Sequence, residues 1–408
     1  MTEQETIKKW LSGQRENMVS LQTKLTACQA LAPESGGDGE LRKCELLEKE
    51  LAALGFPAGE RFDAPDSRVP SGIRPNLIVT IPGKTDNVVW IMTHLDVVPP
   101  GDSSKWETDP WTVVEKDGKL YGRGVEDNQQ GLVSSVFAAL SFLKTKIVPE
   151  LTIKLLFVAD EEVGSTYGIQ YLLDNHDLFT QSDFIVIPDG GDPEGAQIEI
   201  AEKNILWLKF TTKGVQAHAS RPDQGVNAHL AGCALALALN SLEKHFDLRD
   251  PLFEPDRCTM QPTKKETNVP NINTIPGDDI FYLDCRILPR YPLAQVLKEI
   301  ARVARDIESQ YGVSISWKEE QSVESKATPT DAPVVAALGK AIQAIYGVSA
   351  QLVGVGGGTV ASYLRNAGYN AVVWSRMDGT AHQPNEHCVV EYLAGDAAVM
   401  AMLMLGEA

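Results

Sequence analysis

Two short stretches in the first half of the chain combine residue types that could bind metal ions. His94 and Asp96 stand in THLDVV, directly after an apolar run, and the acids Asp160, Glu161 and Glu162 follow another apolar run. Imidazole nitrogens and carboxylate oxygens are common ligands of divalent cations. Acids crowded at the end of a buried strand repel one another unless a cation or raised pKa values compensate. These stretches indicate a cation site, although each alone also suits an ordinary strand end or a solvated turn.

Three further stretches could complete such a site. Asp127 follows a glycine turn in YGRGVEDN, Asp189 follows an apolar run in PDGG, and His382 lies in AHQPNE near the C-terminus. A carboxylate can bridge two cations, because each oxygen can serve one ion. Neighbouring carboxylates can also divide the work, one binding metal and the other moving protons. Together the five stretches favour one metal site built from nitrogen and oxygen ligands.

The pattern of apolar residues predicts the strands and helices that must position these residues. Short apolar runs at 87–92, 152–159 and 184–187 alternate with helical stretches such as 133–143. This pattern predicts a largely parallel sheet covered on both faces. Ligands bind beyond the carboxyl ends of such strands, so the candidate residues are expected at one edge of that sheet.

The middle of the chain has a different pattern. Strands are predicted near 205–212, 257–263, 280–287 and 313–318, with helices over 226–245 and 293–310. This order is typical of a ferredoxin-like α+β sandwich. We therefore predict an α/β catalytic domain in two parts, 1–197 and 322–408, interrupted by an inserted α+β domain at 198–321.

Composition narrows the function classes. The chain has 408 residues and a formal net charge of -18, which disfavours nucleic acid and anionic membranes as partners. Its six cysteines are scattered without a CxxC pair, as in a protein with reduced thiols. The N-terminus lacks a signal-peptide pattern, and no apolar run reaches membrane-spanning length. These features predict a cytoplasmic protein.

The motifs resemble those of the dizinc amidohydrolases and metallopeptidases. That family includes succinyl-diaminopimelate desuccinylase, acetylornithine deacetylase, aminoacylase, carnosinase-type dipeptidases and carboxypeptidase G. The resemblance covers nearly the whole chain and is carried by THLDVVPPGDSSKW, LYGRGVEDN, ADEEVGS, VQAHASRPDQGVNA, NTIPG, YLDCRILP and AHQPNE. It implies a zinc-peptidase-like catalytic domain whose inserted ferredoxin-like domain acts as a lid and as a dimerisation domain.

The resemblance also implies the roles of individual residues. Five ligands would hold two ions: His94 and Asp189 the first, Glu162 and His382 the second, with Asp127 bridging both. Glu161 would be the general base, and Asp96 would orient His94. The peptide bond between Asp127 and Asn128 would be cis.

Four residues would contact the substrate by the same resemblance. His218 would reach a neighbouring subunit's site and stabilise the oxyanion, and Asn273 and Gly357 would line the substrate pocket. Arg286 would bind a substrate carboxylate, a task that suits its planar guanidinium. The alternative for Arg286 is an ordinary strand arginine paired with Asp284.

The sequence therefore predicts a hydrolase that cleaves amide bonds of small N-acyl amino acids or peptides with two divalent ions. Zinc is the expected metal, with cobalt and manganese as alternatives. The activity is expected to be like that of succinyl-diaminopimelate desuccinylase, in a homodimer. One alternative is a carnosinase-like dipeptidase or a carboxypeptidase. The other is a binding protein that retains the fold without catalysis.

Overall fold

The computed structural model describes residues 1–406, whose contacts divide them into two compact units. The first unit contains Met1–Ile200, Ala327–Val353 and the described residues from Thr359 onward, and the second contains Ala201–Lys326 and Gly354–Gly358. The sequence predicted changes of domain after residues 197 and 321, without assigning the segment Gly354–Gly358 to the inserted part.

A large mixed sheet forms the centre of the first unit. Its strands lie in the spatial order Glu60–Arg61, Leu77–Ile81, Thr152–Val158, Val88–His94, Phe184–Gly191, Ala371–Ser375, Gln197–Glu202 and Gln351–Val355. The middle strands of this order pair in parallel, from Thr152–Val158 to Ala371–Ser375, and antiparallel pairs flank them. The prediction of a mixed α/β fold around a mainly parallel sheet is confirmed.

Helices accompany this sheet in the first unit. They are Glu3–Ser12, Arg15–Ala27, Leu41–Leu54, Gln129–Thr145, Ile169–Asn175, Pro333–Tyr346, Ala361–Asn366 and Val390–Met404. Gln129–Thr145 is buried over nearly its whole length, which its small and apolar residues permit. A Cβ at Gly131 would lie 2.4 Å from the carbonyl oxygen of Pro188, so glycine allows this helix to approach the strand that carries Asp189.

Two small sheets complete the first unit. The strands Val114–Lys116, Lys119–Tyr121 and His387–Val389 form one, and Ala64–Pro65 and Ile73–Arg74 form the other. In the first of these, His387 pairs with Tyr121. This pairing places the start of the glycine turn beside the segment that follows His382.

The second unit is an antiparallel sheet with two α-helices. Its strands lie in the order Thr259–Lys265, Asp278–Ile287, Asn204–Lys213 and Ser314–Val323, and its helices are Ala228–Asn240 and Leu293–Tyr311. Counted along the chain this is β-α-β-β-α-β with the sheet order of a ferredoxin-like fold. Buried and less buried residues alternate along Asp278–Ile287, because the sheet carries the core on one face.

A short ribbon outside that sheet belongs to the same unit. Ala217–His218 pairs with Thr274–Ile275. Within residues 1–406, no helix is long and apolar enough to cross a lipid bilayer.

Candidate metal centre

The candidate ligands of the first unit lie where parallel strands end. His94 is the last residue of Val88–His94 and pairs in register with Val158, the last residue of its neighbour. Asp189 lies near the end of Phe184–Gly191, on the other side of Val88–His94. Parallel strands bring their carboxyl ends to one edge, so residues far apart in sequence converge there.

Asp127 lies between the two histidines. Its Oδ1 is 2.9 Å from Nε2 of His94, and its Oδ2 is 3.0 Å from Nε2 of His382. The same nitrogen of His382 is 3.0 Å from Oε2 of Glu162, and the same nitrogen of His94 is 3.7 Å from Oδ1 of Asp189. One oxygen of Asp127 therefore faces each histidine, as a carboxylate that bridges two ions requires.

Asp96 connects His94 with the acidic stretch. Nδ1 of His94 donates to the backbone oxygen of Asp96 at 3.0 Å and lies 3.4 Å from its Oδ1. The Asp96 carboxylate in turn accepts the backbone N–H groups of Glu161 at 3.1 Å and Glu162 at 3.0 Å. A proton held on Nδ1 by the Asp96 backbone would leave Nε2, the ring nitrogen that faces Asp127, free to bind a metal ion.

Glu161 shares a small space with two of the candidate ligands. Ligand atoms of Glu161, His94 and Asp189 all lie within 4.8 Å of one another. Burial raises the pKa of Glu161 well above its ordinary value; the His94 charge opposes this rise, and the nearby carboxylates, first Asp189, add to it. A carboxyl group with a raised pKa is suited to moving protons near neutral pH.

The residues present fit divalent ions. Burial and then the Asp127 charge raise the pKa of Glu162 to about 7, which reflects several acids crowded together. Oε1 of Glu162 is buried without a hydrogen-bond partner, so it has a lone pair free for a ligand bond. Carboxylates and imidazoles are donors that zinc, cobalt and manganese accept, and a cation would relieve the repulsion.

One contact at this centre was not predicted from the sequence. Nδ2 of Asn128 donates to Oδ1 of Asp189 at 2.6 Å and to the backbone oxygen of Pro188 at 2.8 Å. The peptide bond between Asp127 and Asn128 is cis. Asn128 thus orients the Asp189 carboxylate, and the signal available in the sequence was its position directly after the bridging acid.

The structure places four of the predicted site residues in the second unit: His218, Asn273, Arg286 and Gly357. His218 is exposed, and its Nδ1 accepts the backbone N–H of Ser220 at 3.2 Å. With Nδ1 serving as the acceptor, the ring proton of neutral His218 is on Nε2. Asn273 is also exposed, and its backbone oxygen accepts the N–H of Ala219 at 2.9 Å.

Arg286 has several partners within its own unit. Its Nε and NH2 groups donate to the two oxygens of Asp284 at 2.8 and 3.0 Å, and NH1 donates to the backbone oxygen of Gly356 at 2.8 Å. The pairing with Asp284 considered from the sequence is therefore present. Its guanidinium also holds the turn that contains Gly357, and binding of a substrate carboxylate stays a prediction.

Comparisons with known proteins show that most of the chain is similar to known metallohydrolases and peptidases. The model of peptidase family M20/M25/M40 matches residues 90–406. An uncharacterised metallohydrolase of Methanocaldococcus jannaschii is 39% identical over 400 residues, covering 94% of this chain and 98% of its own. The succinyl-diaminopimelate desuccinylase of Polynucleobacter necessarius is 27% identical over 381 residues, covering 91% and 94%. The structure of human carnosine dipeptidase 1 superposes with a TM-score of 0.79 at 17% identity, covering 99% and 98%.

Proposed function

The chain belongs to peptidase family M20/M25/M40, and from that premise we propose that it removes the acyl group from a small N-acyl amino acid. The family makes it a metal-dependent amide hydrolase with a dinuclear site. The finer proposal is a succinyl-diaminopimelate desuccinylase-like activity. It is supported by relatives of that name that align over about nine-tenths of the chain.

One observation carries the proposal. The two oxygens of Asp127 face His94 and His382 at 2.9 and 3.0 Å, so one carboxylate joins two ligand groups drawn from opposite ends of the chain. Glu161 and Asp189 lie beside His94, and Glu162 lies beside His382. A complete set of this kind opposes the alternative of a binding protein without catalysis.

The proposed chemistry assigns each side chain a task. Two divalent ions, when bound, would supply Lewis acidity that lowers the pKa of water and polarises the scissile carbonyl. Glu161 would accept the proton of the attacking water and deliver it to the leaving amine. Asp96 would hold His94 in the tautomer that keeps Nε2 free. Asn128 would hold the Asp189 carboxylate in place.

His218 is proposed to stabilise the oxyanion of the tetrahedral intermediate. Its support is the hydrogen bond from Ser220 to Nδ1, which leaves Nε2–H free to donate from an exposed ring. By the resemblance to the family, it would act at the site of a neighbouring subunit. Asn273, Gly357 and Arg286 are proposed to line the pocket around the substrate.

We propose a homodimer that forms through the second unit. Helix Ala228–Asn240 turns Ala231, Leu235 and Leu239 toward the core, yet Leu230 and Leu237 on it are 56% and 72% exposed. Large apolar side chains exposed on a regular helix are typical of a protein interface. The edge strand Thr259–Lys265 packs beside this helix and could extend the surface.

Zinc is the proposed metal, with cobalt and manganese as alternatives, and the cytoplasm is the proposed location. The nitrogen and oxygen donors suit all three metals. All six cysteines are free thiols in the described part of the chain, which supports a reducing compartment.

A substrate panel tests the proposal. The purified protein, with metal removed by chelator and restored with Zn²⁺, is given N-succinyl amino acids, N-acetyl amino acids and unmodified dipeptides. We expect hydrolysis that returns with the metal and is fastest for the N-succinyl compounds. Fastest hydrolysis of dipeptides would establish the carnosinase-like alternative instead. Full activity in a preparation without metal would overturn the proposed mechanism.

A further inference from the structure

Two buried carboxylates join the turn before Asp127 to the turn that carries His382. Glu126 directly precedes Asp127, and Glu386 lies four residues after His382. The exposed fractions of Glu126 and Glu386 are 1% and 0%. Neither belongs to the proposed set of ligands, and each reaches across to the other turn. We call this pair the carboxylate clasp.

Glu126 holds the chain just before His382. Its Oε1 accepts the backbone N–H groups of Asp378 at 2.7 Å and Gly379 at 3.1 Å. Its Oε2 accepts both the backbone N–H and the hydroxyl of Thr380, the latter at 2.7 Å. Four donors therefore converge on one carboxylate, and the segment they fix leads directly to His382.

Glu386 holds the chain just before Asp127. Its Oε1 accepts the backbone N–H groups of Glu126 at 3.0 Å and Asp127 at 3.1 Å. Its Oε2 accepts the backbone N–H of Gly124 at 3.0 Å and a guanidinium N–H of Arg123 at 2.6 Å. The backbone of the bridging residue is thus bonded directly to the clasp.

The cost of burying these charges indicates that the clasp determines geometry. A buried carboxylate is unfavourable unless its oxygens are saturated with donors, and both members meet that condition here. The turn they hold contains His382 with φ 64° and Asn385 with φ 61°. A left-handed backbone at residues other than glycine persists where surrounding contacts hold it.

We propose that Glu126 and Glu386 are positioning residues that set the distance between Asp127 and His382, and so build the site of the second ion. The inference rests on the proposed dinuclear centre. Glu126 acts on His382, which would bind only the second ion. Glu386 acts on Asp127, which would bind both. The two members should therefore give different patterns of metal loss.

Titration of the metal-free protein with Zn²⁺ against a chromophoric chelator measures both affinities. We expect two ions for the unchanged protein. In Glu126→Ala the first ion should keep its affinity while the second binds about 10- to 100-fold more weakly, the usual effect of losing a residue that supports a ligand. Glu386→Ala should weaken both ions. Glu126→Gln, which keeps one acceptor oxygen, should be intermediate.

Asp183→Ala is a matched control. Asp183 is also a buried carboxylate in the first unit, and it accepts the indole N–H of Trp90 at 2.8 Å and the backbone N–H of Thr180 at 2.9 Å. It precedes the strand Phe184–Gly191, at the end opposite to Asp189. Its loss should lower the melting temperature while both zinc affinities stay unchanged.

The zinc titrations test the dinuclear centre and the clasp separately. An unchanged protein that binds fewer than two ions overturns the proposed centre, and the inference with it. Two ions in the unchanged protein, with both affinities retained or equally reduced in Glu126→Ala, overturn the clasp alone. If Glu126→Ala does not fold, Glu126→Gln decides by the same comparison of the two affinities.

Discussion

His94 and Asp127 in the first unit and His218 in the second are all proposed to act on one reaction, but they are held differently. The His94 side chain is 2% exposed, with a partner at each ring nitrogen. His218 is exposed on the short ribbon Ala217–His218, and its described ring contacts are to Ser220. Groups that bind metal need fixed geometry, whereas a group that meets the substrate can be oriented when the substrate arrives.

Glu161→Gln should cause the largest loss of activity. The amide cannot accept the proton of water, so we expect the turnover number to fall about 10²- to 10⁴-fold, the usual contribution of a general base. Zinc content should not change, because Glu161 is not a proposed ligand. Hydrolysis of N-succinyl substrates and elemental analysis on the same samples check both parts. Near-normal turnover would exclude Glu161 as the base.

His218→Ala should cause the next largest loss. Removal of one oxyanion donor commonly costs about 10²- to 10³-fold in turnover. The first unit is unaffected, so zinc content and melting temperature should remain close to those of the unchanged protein. Steady-state kinetics separate the turnover number from KM. If only KM rises, His218 binds the substrate without stabilising the intermediate.

The same pair of variants shows whether the two units act across a subunit boundary. If His218 serves the neighbouring subunit, mixing Glu161→Gln with His218→Ala chains should restore part of the activity, because one site in each hybrid dimer has both residues. Each variant incubated alone is the control. Mixed samples that exchange subunits but stay inactive would place His218 in its own subunit's site.

Leu237→Asp should convert the proposed dimer to monomers, with little effect on the fold of either unit. Its side chain is 72% exposed, so the charge is buried only if a second chain covers the helix. Leu248→Asp is the control, since Leu248 is a 42% exposed leucine of the same unit that lies outside that helix. Sedimentation measures the mass of each variant. A dimer that survives Leu237→Asp lies on another surface.

The smallest expected effect is a change with pH in the stability of the metal-free protein, and it arises from Glu162 and His382 in the first unit. In the metal-free protein, burial raises the pKa of Glu162 to about 7, and hydrogen bonds to Asp127 and Glu162 raise that of His382 to about 10. Both groups hold protons in the folded chain that the unfolded chain has released. Stability should therefore fall as pH rises from about 4.5 to about 10.

Bound zinc should reverse that trend. A ligand carboxylate must be ionised and a ligand imidazole neutral, so zinc binds more tightly as pH rises. The difference in melting temperature between zinc-loaded and metal-free protein should widen from pH 5 to pH 9. Scanning calorimetry on both forms measures it. A constant difference would contradict the assignment of Glu162 and His382 as ligands.

Contacts within or between neighbouring strands can be predicted from this sequence, whereas contacts between distant segments cannot. His94, Asp189 and the acids at 160–162 each follow an apolar strand, and a parallel sheet brings strand ends together, so their convergence was predictable. The clasp was not, because its hydrogen bonds join residues more than 250 positions apart that have no shared local pattern. The motifs that contain Glu126 and Glu386 assign neither residue a role of its own.

The second unit shows the same limit, because only its local contacts are visible in the sequence. The sequence offers Asp284 as a partner of Arg286, because residues two apart on a strand point to the same face. The bond from Arg286 to the backbone of Gly356 was not predictable, since that segment returns to the second unit from far along the chain.

The first unit is built from segments that lie before and after the second unit in the chain, and this affects the order in which the protein can fold. As the chain grows from its N-terminus, residues 201–326 of the second unit are complete well before strand Ala371–Ser375 and His382 exist. Until that strand is added, one edge of Phe184–Gly191 is without its parallel neighbour, and an unpaired buried strand invites aggregation. We therefore expect the hydrolytic centre to assemble only after the ribosome has passed His382, so a shorter nascent chain cannot cleave amides and is exposed to aggregation until that strand is added.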